Sequence, residues 1–157
     1  AAIRSGGALA AALLQAALWT SAAMVVVAIF SRQDWPAFAV GFLIGVAIYG
    51  PAYEGPPGCV HGGTIAAGFD EILGLTQSFG GRPGMTGRLE VFYRSPTPLG
   101  EAVRYRGWLD RIEGRKIHVS ATLHHGDRLC AEATATFISM KPEVFERLMK
   151  ARSQRAG

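Results

Sequence analysis

His61-Gly62-Gly63-Thr64-Ile65-Ala66-Ala67-Gly68-Phe69-Asp70-Glu71-Ile72-Leu73-Gly74-Leu75-Thr76, residues 61–76, decides the fold. Ile65, Phe69, Ile72, Leu73 and Thr76 recur at steps of three and four, the period of one helix face. Gly80-Gly81-Arg82-Pro83-Gly84 stops that helix. A helix apolar over so much of its surface has to be covered. The residues after it provide the cover as strands: Thr86 to Arg94, with Leu89, Val91 and Tyr93 opposite Arg88, Glu90 and Phe92; Ala102 to Ile112; Lys116 to His124; and Arg128 to Met140, with Leu129, Ala131, Ala133 and Ala135 on one face. Ser95-Pro96-Thr97-Pro98-Leu99-Gly100 breaks the first pair, and Glu113-Gly114 and His125-Gly126-Asp127 turn the others. Short turns between consecutive strands imply an antiparallel sheet. One long helix on such a sheet is an α+β domain. Pro142 opens a closing helix to about Arg152, with Phe145, Leu148 and Met149 as its stripe.

Composition agrees with one packed domain. The 157 residues are 49% hydrophobic and 18% charged, which excludes a disordered chain. Cys59 and Cys130 cannot build a disulfide framework or a Cys-rich zinc site, so a reducing, cytoplasmic setting is expected. The net charge of +4 suits a polyanionic ligand or no partner at all. No basic run marks a nucleic-acid binder.

Charge is unevenly spread. Residues 1–53 hold only Arg4, Arg32 and Asp34, while the other 104 residues hold 25 charged side chains. Ala8 to Phe30 is uncharged and long enough to span a bilayer. Trp35 to Tyr53 is a second uncharged run. A membrane hairpin, a signal peptide, or a buried helix followed by strands all fit, and Val40 to Tyr49 reads as a central strand or two. The chain is divided accordingly into an apolar segment, 1–52, and a domain, 53–157.

Three features of residues 53–76 point to chemistry. Tyr53-Glu54-Gly55-Pro56-Pro57-Gly58 is dense turn chemistry leading to His61. Gly62 and Gly63 lie where loop becomes helix, and the unpaired N–H groups and positive dipole there suit an oxyanion or a polarised carbonyl. Asp70 is an unfavourable residue for a helix interior and borders the buried stripe, whereas Glu71 is an ordinary surface acid.

Tyr53–Gly58, His61-Gly62-Gly63, Asp70 nine residues after the histidine, Met85-Thr86, Tyr93-Arg94-Ser95-Pro96-Thr97-Pro98-Leu99, Glu113-Gly114-Arg115-Lys116 and Ala131-Glu132-Ala133 together resemble the hot-dog fold thioesterases, nearest the phenylacetate-degradation-type and related acyl-CoA branch. The likeness covers about residues 53–140. It implies a sheet wrapped on a central helix and hydrolysis of an acyl-CoA thioester. It implies Asp70 as general base or nucleophile, Thr86 as the hydroxyl placing the water, and Gly62 and Gly63 as carbonyl donors with His61 beside them. Arg94, Ser95, Pro96, Arg115 and Lys116 are the implied coenzyme A contacts. Coenzyme A is then part of the substrate, no separate cofactor or metal is needed, and a homodimer or homotetramer carries the site at a subunit seam.

Helix geometry gives the dimer a separate reason. At about 1.5 Å per residue, Asp70 lies roughly 10–13 Å along the helix from the Gly62 and Gly63 N–H groups. A carbonyl on those donors and a water on Asp70 must meet at about 3 Å, so the acid and the donors must come from different chains. Lesser candidates read more simply as surface or packing: His118, His124 and His125, Cys59 and Cys130, and Arg104 and Arg106 on a strand face. Trp108 and Phe92 are candidates for an acyl tunnel or for the core. A hot-dog hydroxyacyl-thioester dehydratase and a non-catalytic acyl-CoA-binding module are the competing functions; histidine preceding Gly-Gly disfavours the first, and retained Asp70 and Thr86 the second.

Overall fold

A computed structural model describes residues 42–81 and 84–155. The elements are β1 (Phe42–Ile48), a 3-10 turn (Pro51–Tyr53), α1 (Gly62–Gln77), a second 3-10 turn (Ser78–Gly80), β2 (Gly84–Tyr93), β3 (Ala102–Glu113), β4 (Lys116–His125), β5 (Arg128–Ser139) and α2 (Pro142–Arg155). The strands form one antiparallel sheet in the order β1-β3-β4-β5-β2. Helix α1 lies across one face of it. All five residues of the predicted stripe, Ile65, Phe69, Ile72, Leu73 and Thr76, are buried, against Val103, Tyr105, Ile117, Val119, Leu123, Ala133 and Phe137 from the inner face of the sheet.

Alternation along the strands sets which residues meet the helix. Val103, Tyr105 and Gly107 of β3 are buried, while Arg104 and Arg106 are exposed on the outer face. Two close approaches fix the height of the helix. A Cβ at Gly68 would lie 2.4 Å from the Tyr105 hydroxyl and 2.7 Å from that of Tyr49; a Cβ at Gly107 would lie 2.6 Å from Thr76 Oγ1. The Tyr49 and Tyr105 hydroxyls hydrogen-bond to each other at 2.7 Å beneath Gly68, and the Tyr105 ring stands edge-on to Phe69. A buried phenol needs such a partner.

Several expectations are corrected. Among the described residues β1 pairs along its length with β3 alone and stands at the end of the sheet, where a central strand was expected. Alternation of buried Leu43, Gly45 and Ala47 with half-buried Ile44, Val46 and Ile48 shows why its apolar run looked central. This strand also replaces the second limb of a membrane hairpin over residues 42–48, and no described helix is long and apolar enough to cross a membrane. The apolar run Ala8 to Phe30 lies outside the described residues. The charge boundary near Glu54 is not a boundary in the sheet, since β1 precedes it. On β5, the register slips so that Leu123 faces Ala131 and His124 faces Leu129. Cys130 is the extra residue, buried beside Ala131 instead of pointing to the opposite face. In α2, Phe145 is exposed, and the side chains of Leu148 and Met149 lie outside the described set.

Two outcomes follow for stability. Gly68→Ala adds a methyl where two hydroxyls already stand, and overpacking of this kind costs about 1–3 kcal/mol, more than the roughly 1 kcal/mol that alanine gains over glycine in a helix. Chemical denaturation should therefore show a lowered midpoint. Burial raises the Tyr105 pKa, with the Tyr49 phenol adding to it, and raises that of Tyr49. A raised phenol pKa adds stability below the unfolded value of about 10, which is lost as pH climbs from there toward the folded value. Denaturation midpoints should fall above about pH 10, and the fall should be shallower in Tyr105→Phe.

Candidate active site

The loop before α1 is a set of interlocked turns. Cys59 N–H donates to Pro56 O at 2.9 Å, closing a turn with Pro57 and then Gly58 at its centre. Gly58 has φ +72°, the left-handed value that position requires. Glu54 Oε1 accepts from Gly58 N–H at 2.8 Å, Gly55 N–H donates to Cys59 O, and His61 N–H donates to Tyr53 O at 2.8 Å. Gly55 passes so near His61 that a Cβ would sit 2.8 Å from the His61 Cα. The chain therefore enters the helix along one fixed path.

His61 is the N-cap. Its backbone is extended, and its Nδ1 accepts from Gly63 N–H at 3.0 Å, as side-chain caps do. The His61 carbonyl takes the N–H groups of Thr64 and Ile65 at 3.0 and 3.2 Å. The imidazole leans over Gly63, where a Cβ would be 3.0 Å from Nδ1. Thus Gly-Gly makes room for the chain's own histidine as well as for a ligand. The two glycines also differ: Gly63 N–H is held by His61, while Gly62 N–H has no acceptor among the described residues. Tyr93, at the end of β2, donates its hydroxyl to Gly62 O at 2.7 Å.

Asp70 lies two turns further along α1. Its side chain is exposed, and Oδ1 accepts the Thr86 hydroxyl from the start of β2 at 2.8 Å. Helix and edge strand run in opposite directions, so Asp70 meets Thr86 and the helix tip meets Tyr93 along one edge of the domain. Eight residues of helix, about 12 Å, separate carboxylate and tip.

The residues read as coenzyme A contacts fall into two groups. Arg94 pairs with Glu132 and covers the Phe92 ring, with its guanidinium carbon 5.6 Å from the ring centroid. Ser95 Oγ donates to Leu129 O at 2.7 Å, and Pro96 O accepts from Arg128 at 3.2 Å. Arg115, in the β3–β4 turn, donates to Ser139 O at 3.1 and 3.2 Å, and Lys116 beside it is exposed. Lys116 lies across from Ile138, itself across from Met85, so this second group flanks the start of β2 and the first flanks its end.

Alternation places Trp108 on the outer face, in a groove with Ile44, Arg104, Arg106, Thr122 and His124, away from α1. Phe92 is on the outer face beside Arg94. Neither lines a site near Asp70 within this chain. The roles of Tyr93 and Glu54 were not read from the sequence, although both fall in stretches that carry the family likeness. A tyrosine ending an edge strand gives no sign of which backbone carbonyl it will reach.

With this geometry in view, the comparisons are specific. The thioesterase superfamily model matches residues 57–132, from the loop before α1 into β5. Acyl-coenzyme A thioesterase THEM4 of Xenopus laevis is 41% identical over 95 residues, covering 59% of this chain and 43% of that protein. Human acyl-coenzyme A thioesterase THEM5 is 31% identical over 96 residues, covering 60% and 39%. The chain thus spans about two fifths of the length of these curated relatives. A crystal structure of a thioesterase superfamily protein superposes with a TM-score of 0.59 at 36% identity, covering 62% of this chain and 51% of the other. A phenylacetic acid degradation-related protein of Ralstonia eutropha JMP134 superposes with a TM-score of 0.58 at 25% identity, covering 71% and 83%. A five-stranded antiparallel sheet on a long central helix is the hot-dog fold of these neighbours, and it is over residues 57–132 that the chain is similar to the thioesterase superfamily.

Proposed function

We propose that the protein hydrolyses the thioester of a fatty or aryl acyl-CoA to the free acid and coenzyme A, in a site completed by a second copy of the chain. The observation that carries this reading is the Thr86–Asp70 hydrogen bond at the open edge of the sheet. Among the described residues β2 pairs only with β5, which leaves the other side of its ladder unused. An open edge is a template for another strand. Met85, Phe92 and Tyr93 of β2, and Leu75 of α1, are large apolar side chains left exposed beside it.

Most homodimers have two-fold symmetry. Two-fold pairing of β2 with its copy runs antiparallel. Centred between Leu89 and Glu90, it sets Thr86 of one protomer against Tyr93 of its partner. Each Asp70 then faces the partner's helix tip, which one helix cannot arrange within itself. The same operation brings the Arg94–Ser95–Pro96 end of one chain toward the Arg115–Lys116 end of the other, uniting the two basic groups around the phosphates of one coenzyme. Dimers of this kind can pair further into tetramers. The free thiols Cys59 and Cys130 suit a reducing compartment such as the cytoplasm. Acyl-coenzyme A thioesterase is the printed activity of relatives up to 42% identical, and the histidine-glycine-glycine, aspartate and threonine set is the basis for the phenylacetate-degradation-type branch.

The chemistry needs no further group. The thioester oxygen accepts from Gly62 N–H at the positive end of α1. The Thr86 hydroxyl occupies Asp70 Oδ1 and leaves Oδ2 to take a proton from water. The water oxygen attacks the carbonyl carbon, and the C–S electron pair leaves with the coenzyme A thiolate. The proton held by Asp70 returns to that thiolate.

Asp70→Asn should lower thiol release from acyl-CoA by about 10²- to 10⁴-fold, the range for a lost general base, and Thr86→Val by a smaller factor. Acyl-CoA binding with no thiol released by the unaltered protein would sink the assignment. The shared site has its own test. Gly62→Pro deletes the donor N–H, and proline is favoured at the first helical position. Mixed equally and reassociated, inactive Asp70→Asn and Gly62→Pro chains should regain about one quarter of full activity, since half of the two-fold dimers carry one intact site. No recovery despite exchange would place both groups in one chain.

A further inference from the structure

The first turn of α1 is held in a way that leaves one donor over. The peptide unit joining Gly62 to Gly63 is gripped at both ends: its N–H by His61 Nδ1 at 3.0 Å and its C=O by the Tyr93 hydroxyl at 2.7 Å. The unit before it, joining His61 to Gly62, has its C=O engaged by Thr64 and Ile65 N–H. Its own N–H, that of Gly62, is the group with no acceptor among the described residues. Two successive glycines would otherwise be the least constrained part of the helix start. The Tyr93 ring also lies against Gly62, where a Cβ would be 3.4 Å from ring and hydroxyl atoms.

From this we propose that Tyr93 is a positioning residue for catalysis: its hydroxyl, opposite His61 Nδ1, locks the Gly62–Gly63 peptide so that Gly62 N–H is aimed at the developing oxyanion. The proposal rests on the thioesterase reading and adds to it how the donor is kept in place. Tyr93 ends β2, the strand at the proposed seam, so pairing of the two edges and orientation of the donor depend on the same residue. A hydroxyl that fixes a donor without touching substrate acts on the transition state more than on substrate binding.

Tyr93→Phe keeps the ring and removes the bond. Expected is a fall in kcat of about ten-fold, smaller than the loss of a whole oxyanion donor, with KM for acyl-CoA within about two-fold and an unchanged melting temperature. A spectroscopic measurement separates positioning from general disturbance. In an Asp70→Asn background, which blocks turnover, the infrared band of a carbonyl-labelled acyl-CoA should move to lower frequency on binding. That shift should shrink when Tyr93→Phe is added and vanish with Gly62→Pro. Unchanged kcat, or a lower kcat with the carbonyl band unmoved, would overturn the role of Tyr93. Failure of the underlying reading looks different: Asp70→Asn alone would keep full hydrolysis, whatever residue 93 does.

Discussion

Helix α1 rests on the sheet with no side-chain padding at two points, and the rest of the structure depends on that closeness. At Gly68 the helix backbone meets the paired hydroxyls of Tyr49 and Tyr105; at Gly107 the strand backbone meets Thr76 and Ile72. Protein interiors are packed too densely to absorb an added methyl at such contacts. The height and direction of α1 are thereby fixed. Those in turn determine that Asp70 reaches Thr86 and that the tip of the helix reaches Tyr93. Side-chain hydrogen bonds of 2.7–2.8 Å between elements do not survive a slide of an ångström.

The arrangement is divided by its own geometry. A helix offers its positive end and a mid-helix carboxylate on the same flank, but at about 1.5 Å per residue they cannot act on one bond. In the proposed dimer the edge strand beside them joins them across two copies. Among the described residues its ladder is open on one side, Met85, Phe92 and Tyr93 are left exposed on it, and its two ends carry Thr86 and Tyr93. The polar outer face differs in character. There Arg88 pairs with Glu90 and Arg111 with Glu113, exposed pairs of small energetic worth. The Arg111 guanidinium, by hydrogen bond and by charge, holds the Glu113 carboxyl below its usual range.

Much of the fold was legible because its signals are local. All five residues of the stripe from Ile65 to Thr76 lie on the buried face of α1, to which the structure adds Gly68 and Gln77, and the strands after it keep within two residues of their predicted limits. What was misread depended on neighbours. The run around Val46 is apolar on both faces whether it sits inside a sheet or at its end, and only the pairing shows that, among the described residues, it meets β3 alone. Trp108 was a candidate tunnel residue until alternation on β3 put it opposite Gly107, on the face away from the helix. Cys130 joined the core through a bulge, which shifts the period by one residue where no pattern announces it.

The sequence by itself determined the central helix, the strands that cover it, and the residue types able to do thioester chemistry, because periodicity, turn residues and helix ends are properties of short stretches of chain. Tertiary structure decided which of those residues meet. It joined Asp70 to Thr86 across sixteen residues and Gly62 to Tyr93 across thirty-one. Among the described residues it assigned Gly63 N–H to His61 and left that of Gly62 over, and it put β2 at the end of the sheet. Hydrogen bonds between distant segments depend on how closely helix and sheet can approach, and that distance is set by the packing of all the segments together.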